Sequence, residues 1–220
     1  MYFRFHKEIS AALIILFLLV IFFYFISKTL FVVFLIILIF TCYFFRDPER
    51  VVPLGDDILT SPADGLITNI SEIKIGNKKY IKVSIFLSVF NVHIQRIPIS
   101  GEITKVDYSE GKFINATLDK ASEENERLKL TIKSKNNFIN VTQIAGLIAR
   151  RIICNVKPKD RINQGDRYGI IKFGSRVDIE FPENFDLLIS VGQQCIGGET
   201  IIAQENKNSK TKNKRNYKKI

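Results

Sequence analysis

The chain has 220 residues, a net charge of +10 and only three cysteines. That length leaves room for one membrane element and one domain of ordinary size, and for little more. Cys42, Cys154 and Cys195 are odd in number, far apart and without CxxC spacing, which argues against a disulfide framework or a zinc site and for a reducing compartment.

The apolar residues and the charge are both unevenly spread. Ile9–Ile26 and Leu30–Phe45 are two apolar runs around Ser27-Lys28-Thr29. A single helix through both would be about 55 Å long, against roughly 30 Å of bilayer core. Two short spans with a tight turn, or a re-entrant hairpin, fit better. No small-residue cleavage site follows, so neither run reads as a signal peptide. Arg4 and Lys7 precede the pair and Arg46 and Arg50 follow it, which predicts that both ends stay cytoplasmic at the inner membrane. Pro48 in FFRDPER ends the second run, with its charged residues at headgroup depth. The expected layout is a membrane anchor over 1–50, a mainly β domain over 51–205 and a basic, unstructured tail over 206–220.

From Val51 onward short β-branched or alternating segments follow one another between Gly, Pro, Asn and Asp. They predict strands at Leu66–Ile70, Ile81–Phe86, Ile97–Val106, Leu128–Ile132, Asn137–Gln143, Gly146–Cys154, Gly169–Phe173 and Val177–Phe181. ADGLITNI, ISGEITKV and VGQQCIGGETIIA share one phrase, a Gly shortly before a strand. The last resembles the closing hairpin of biotinyl/lipoyl-type domains, so the expectation is a barrel-sandwich of related units. No lysine stands in its turn, Gly192–Gly198, where a carrier group would be attached. The tail holds seven Lys/Arg and no acid, but Tyr217 is its only aromatic, so nucleic-acid binding is not expected.

The chemistry is expected in YGIIKFGSRVDIEFP, Tyr168–Pro182. Gly174-Ser175 interrupts two strand-like runs, and a glycine there frees the backbone for geometries that a side chain forbids. An ordinary turn is the plainer account of that dipeptide. Of two histidines, His6 precedes the first apolar run, and His93 lies in FNVHIQRIPISG. His93 reads as a core histidine or as the one candidate general base. Asp64 in SPADG suits a turn, or it could fix the tautomer of His93 so that the imidazole deprotonates Ser175.

FFRDPER, SPADG, NVHIQRIPISG and FGSRVD, in that order behind an apolar N-terminal pair, resemble the short bacterial phosphatidylserine decarboxylase proenzymes. The resemblance covers all but the basic tail. It implies self-cleavage between Gly174 and Ser175, giving a heterodimer of chains 1–174 and 175–220, with room for a higher oligomer. Ser175 would become a covalent pyruvoyl cofactor, and no metal is needed. Phosphatidylserine of the bilayer would condense with it as a Schiff base, lose CO2 and leave as phosphatidylethanolamine. Asp64, His93 and Ser175 fall on the catalytic positions, and Asn91 and Arg96 are candidates for substrate contacts. Longer members carry two histidines three apart; here His93 takes the first place and Arg96 the second, so the division of roles between cleavage and decarboxylation is open.

Two other classes share these residues. A membrane-anchored serine hydrolase would use Ser175, His93 and Asp64 and remain one chain, although the chain has no G-x-S-x-G elbow. A non-catalytic membrane adaptor would need none of them.

Overall fold

The computed structural model describes residues 10–111, 125–146, 152–171, 175–206 and 216–220. It divides into two compact units, Met1–Pro48 and Glu49–Ile220. In the first, α1 (Ser10–Ile26) and α2 (Lys28–Phe44) are apolar on every side. They break at Ser27, which adopts an extended backbone and accepts from the Leu30 N–H to cap α2, as serine at an N-cap does. Phe23 stacks on Phe34 at 4.9 Å, and Tyr24 meets Phe31 edge-on at 5.4 Å. Each helix has 17 residues, about 25 Å at the usual rise. Among the described residues no helix is long and apolar enough to cross a membrane.

The second unit is mainly β. Its strands open with β1 (Val51–Leu54), β2 (Ile58–Thr60), β3 (Gly65–Ile75), β4 (Lys78–Leu87) and β5 (Ile94–Arg96). There follow β6 (Gly101–Ser109), β7 (Arg127–Ser134), β8 (Asn137–Ala145), β9 (Ile152–Cys154), β10 (Arg161–Ile162) and β11 (Arg167–Ile171). The last are β12 (Ser175–Pro182), β13 (Phe185–Leu187), β14 (Gln194–Cys195), β15 (Ile201–Glu205) and β16 (Asn216–Lys219). Eight strands form one antiparallel sheet in the order β10-β6-β7-β8-β12-β4-β3-β14, and β5-β11-β9 and β13-β15-β2 form two smaller ones. Two-residue turns set the register of its hairpins: Gly76 (φ 61°) leads the β3–β4 turn and Lys135 (φ 50°) the β7–β8 turn, the positive φ that suits strand twist.

Alternation builds the core. Val83, Ile85 and Leu87 of β4, Ile139 and Val141 of β8, and Val177, Ile179 and Phe181 of β12 are all fully buried. The mainly β expectation holds, with differences at particular elements. The run Ile97–Val106 is a strand only from Gly101, because Pro98 has no N–H to give a ladder. VGQQCIGGETIIA is not a closed hairpin: β14 pairs with β3, while β15 pairs with β2 and β13. Gly198, at φ 81°, turns the chain between them. Residues 147–151 of the expected Gly146–Cys154 strand lie outside the described residues.

The tail expected to lack order contributes β16, paired antiparallel with β1 from Val51↔Lys219 to Leu54↔Asn216. The N–H of Arg50 also donates to the Ile220 carbonyl at 2.6 Å. The physical reason is the edge of β1, which offers ladder groups that need a partner. Residues 207–215 lie outside the described residues.

Candidate active site

Ser175 opens β12, in the middle of the large sheet, paired with Leu87 of β4 on one side and Ala145 of β8 on the other. Period-2 alternation turns Ser175 inward with Val177, Ile179 and Phe181 and sends Arg176, Asp178 and Glu180 to the opposite face. The serine is completely buried, and among the described residues its hydroxyl has no hydrogen-bond partner. A buried hydroxyl without a partner costs free energy, so this position is not explained by packing. Gly174, the other half of the expected cleavage site, lies outside the described residues, with Lys172 and Phe173.

His93, also fully buried, stands one residue before β5. Its Nδ1 is 3.0 Å from the Asn91 carbonyl. A carbonyl only accepts, so this contact places the proton on Nδ1 and makes Nε2 the basic nitrogen. The His93 carbonyl accepts the N–H of Ile171 at 3.3 Å. It thereby ties the histidine to the end of β11, four residues before Ser175. Asn91 makes this bend: its Oδ1 accepts from both the N–H and the hydroxyl of Ser88, directly after Leu87. Its side chain is engaged in that turn.

Asp64 sits in the loop before β3, one residue from the Gly65 backbone, where a Cβ would come within 2.3 Å of the Phe86 carbonyl. Its Oδ2 is 2.7 Å from Arg50 Nη2, and its Oδ1 accepts the Gly197 N–H at 2.7 Å. The loop is fixed to the histidine segment by Arg96 N–H donating to Pro62 O and Thr60 N–H donating to Pro98 O. Asp64, His93 and Ser175 thus come from three segments that the backbone pairing draws to one end of the large sheet. The tautomer-setting contact observed on His93 is the Asn91 carbonyl. Arg96 is 3% exposed, and its Nη1 donates to the Gly165 carbonyl at 3.0 Å.

The sequence reading missed two buried amides. Gln143 Nε2 donates to Gln95 Oε1 at 2.8 Å, and Gln95 Nε2 donates to the His93 carbonyl at 2.7 Å. The available signal was a glutamine at an inward position of an otherwise apolar strand, between Val141 and Ala145. Asn125 is fully buried and donates to the Ala145 carbonyl at 2.7 Å, beside Ser175.

A polar hollow of about 300 Å³ lies on the other face of the same sheet, lined by Lys82, Lys129, Asp178 and Glu180 among others. Alternation along β12 puts it across the sheet from Ser175. Among the described residues no group of three or more His, Cys, Asp or Glu could hold a metal ion.

A profile of the phosphatidylserine decarboxylase family matches residues 37–203. The phosphatidylserine decarboxylase proenzyme of Ehrlichia chaffeensis is 54% identical over 166 residues, covering 73% of this chain and 74% of that protein. That of Rickettsia bellii is 51% identical over 168 residues, covering 73% of each. That of Rickettsia prowazekii is 50% identical over 172, covering 75% of this chain and 74% of its own. With a family profile matched over residues 37–203 and about half of the aligned residues identical in these relatives, the chain belongs to the phosphatidylserine decarboxylase family.

Proposed function

We propose that the chain is a self-processing decarboxylase that converts phosphatidylserine to phosphatidylethanolamine and CO2 with a pyruvoyl group made from Ser175. The observation that carries this reading is the Ser175 hydroxyl, buried, without a hydrogen-bond partner among the described residues, at the start of β12 and beside the His93 segment. A hydroxyl kept in that state suits a nucleophile better than a packing residue.

In the first reaction, His93 Nε2 takes the Ser175 proton as Oγ attacks the Gly174 carbonyl. The amide C–N bond breaks and an ester joins the two residues. Loss of the Ser175 Cα proton then expels the Gly174 carboxylate by β-elimination. The dehydroalanine left at 175 takes up water, releases ammonia and becomes the pyruvoyl terminus of chain 175–220, with chain 1–174 as its partner. A pyruvoyl group is no larger than the serine it replaces, so the enclosed space between Leu87 and Ala145 fits it.

That group supplies a carbonyl that condenses with the substrate amine and takes up the electrons released as CO2 leaves. His93 then holds the proton returned to the substrate carbon. Asp64, fixed by Arg50 and the Gly197 N–H, keeps negative charge at this end of the sheet. Burial removes water that would compete for that proton.

The catalytic unit follows the barrel-sandwich plan, and residues 1–50 form an anchor whose paired helices enter the inner membrane from its cytoplasmic side. Two 17-residue apolar helices suit shallow or re-entrant insertion. The basic residues of 206–220 would favour an anionic lipid surface, each by about 1 kcal/mol.

The test is the denatured mass of the purified chain, with N-terminal sequencing of any small fragment. Two species meeting at Gly174/Ser175, the smaller blocked until reductive amination, support the proposal. A single chain that reacts with a fluorophosphonate would replace it with a serine hydrolase.

A further inference from the structure

Gln143 and Gln95 sit where an apolar pair would have packed without cost. Both are fully buried. The direction of their hydrogen bonds is forced by chemistry. The His93 carbonyl can only accept, so Gln95 turns Nε2 toward it and presents Oε1 to Gln143. Gln143 must then donate through Nε2, which leaves its Oε1 facing away from Gln95. That Oε1 is buried and, among the described residues, has no hydrogen-bond partner.

Register places this orphaned acceptor near the orphaned hydroxyl. Gln143 pairs with Val177 and Ala145 pairs with Ser175, so Gln143 and Ser175 share the inward face of adjacent strands, one step diagonally apart. That separation is within reach of a long side chain. The two unsatisfied atoms are complementary: Ser175 Oγ–H donates and Gln143 Oε1 accepts. A third observation points the same way. A Cβ at Gly169 would lie 2.9 Å from Gln143 Nε2 and 2.3 Å from the Ile153 carbonyl, so β11 leaves room for the amide only because residue 169 is glycine.

We propose that Gln143 and Gln95 are positioning residues for self-cleavage: Gln143 offers Oε1 to the Ser175 hydroxyl, and Gln95 ties Gln143 to the His93 backbone. The amide relay holds nucleophile and base in one register across β12, β8 and the start of β5. It rests on the self-processing reading above and adds two residues to it.

The experiment follows the first-order cleavage of freshly made full-length precursor by denatured mass, for the wild type, Gln143→Met and Gln95→Leu. Each variant is also made with Ser175→Ala, so that its melting temperature is read in an uncleavable chain. The expected result is cleavage slowed about 10- to 100-fold in both variants. Their melting temperatures should stay within about 3 °C of Ser175→Ala alone. In the fraction that does mature, kcat for phosphatidylserine vesicles should fall while KM is unchanged, because His93 is less well held and the lipid contacts are untouched. Cleavage at the wild-type rate in Gln143→Met overturns the inference, as does slowing accompanied by a collapse in melting temperature. A wild-type precursor that never cleaves overturns the self-processing reading itself, which separates the two failures.

Discussion

Arg50 Nη2 lies 2.7 Å from Asp64 Oδ2 and joins FFRDPER to SPADG, with both side chains about seven-eighths buried. The N–H and carbonyl of Arg50 also bond to Ile220, and the next residue, Val51, donates its N–H to Glu199 Oε1 at 2.9 Å. The carboxylate is therefore fixed through a residue that is itself fixed on three sides. Arg50→Ala should remove the guanidinium that lies against the Asp64 carboxylate. The expected cost is about 2 kcal/mol in urea denaturation, with slower precursor cleavage. Asp64→Asn should also slow cleavage, because the amide loses the charge that Arg50 holds. Normal maturation of Asp64→Asn would reduce the residue to a turn former.

Ser175 and His93 make separable predictions. Ser175→Ala should yield an intact chain of 220 residues without decarboxylase activity, and its stability should match or exceed that of wild type. The reason is the hydroxyl: it is buried without a partner among the described residues, so removing it relieves a desolvation cost of about 1 kcal/mol. A catalytic serine behaves this way and a structural one does not. His93→Ala should also accumulate precursor, read as the ratio of intact to cleaved mass over time. Continued cleavage there would move the base elsewhere.

Much of this was legible in the sequence where one segment decides the matter. The strands β4, β7, β8 and β12 follow from alternation alone, whereas Ser175 and His93 gain meaning as candidates only from the other motifs in the chain. What was illegible depends on pairing between distant segments. Asp64 reads as a turn former or a partner for His93, and nothing local reveals that Arg50, 14 residues upstream, faces it. Arg96 reads as a candidate substrate contact, and nothing local reveals its bond to the Gly165 carbonyl, 69 residues away. The tail reads as solvated charge, because nothing local reveals that β1 offers Asn216–Lys219 an edge. The glutamine relay was hidden for the same reason, since a single amide in a strand has no meaning until its partner across three strands is known.

The face of β12 turned away from Ser175 carries a buried ion pair that tests how the sheet is held. Arg176 Nε and Nη2 reach Asp178 Oδ1 and Oδ2 at 2.7 and 2.8 Å, and Lys82 approaches Asp178 Oδ2 at 3.3 Å. Arg176 and Asp178 are 3% and 2% exposed. Arg176→Met should cost about 3 kcal/mol, because it strands a buried carboxylate with only one lysine. The double change Arg176→Met with Asp178→Leu should recover most of that loss. A double-mutant cycle by urea denaturation reads both. Equal losses in the single and double variants would mean that the pair is replaceable by solvent.

Stability should fall at alkaline pH, and the sign follows from two buried acids. Burial in the β3–β14 corner pushes the Cys195 thiol from 9.0 to about 11, with the nearby Asp64 charge adding to it and the Ser61 hydroxyl opposing. Burial likewise raises the Tyr168 phenol well above 10. Both groups stay protonated in the folded chain after their unfolded counterparts have ionised. Above pH 9 the unfolded state therefore binds fewer protons than the folded one, and raising the pH draws the chain toward it. Stability is fully present below about pH 9 and declines as pH rises toward 11. For Cys195 alone the loss reaches about 2 kcal/mol by pH 11. Cys195→Ala should flatten that part of the profile while lowering stability at pH 7, because the thiol fills space between Ala63 and Gly65. Urea midpoints measured from pH 7 to pH 10.5, on the Ser175→Ala background so that a single species is present, read both effects. A profile that stays level through pH 10 would mean that water reaches Cys195 and Tyr168 in the folded chain.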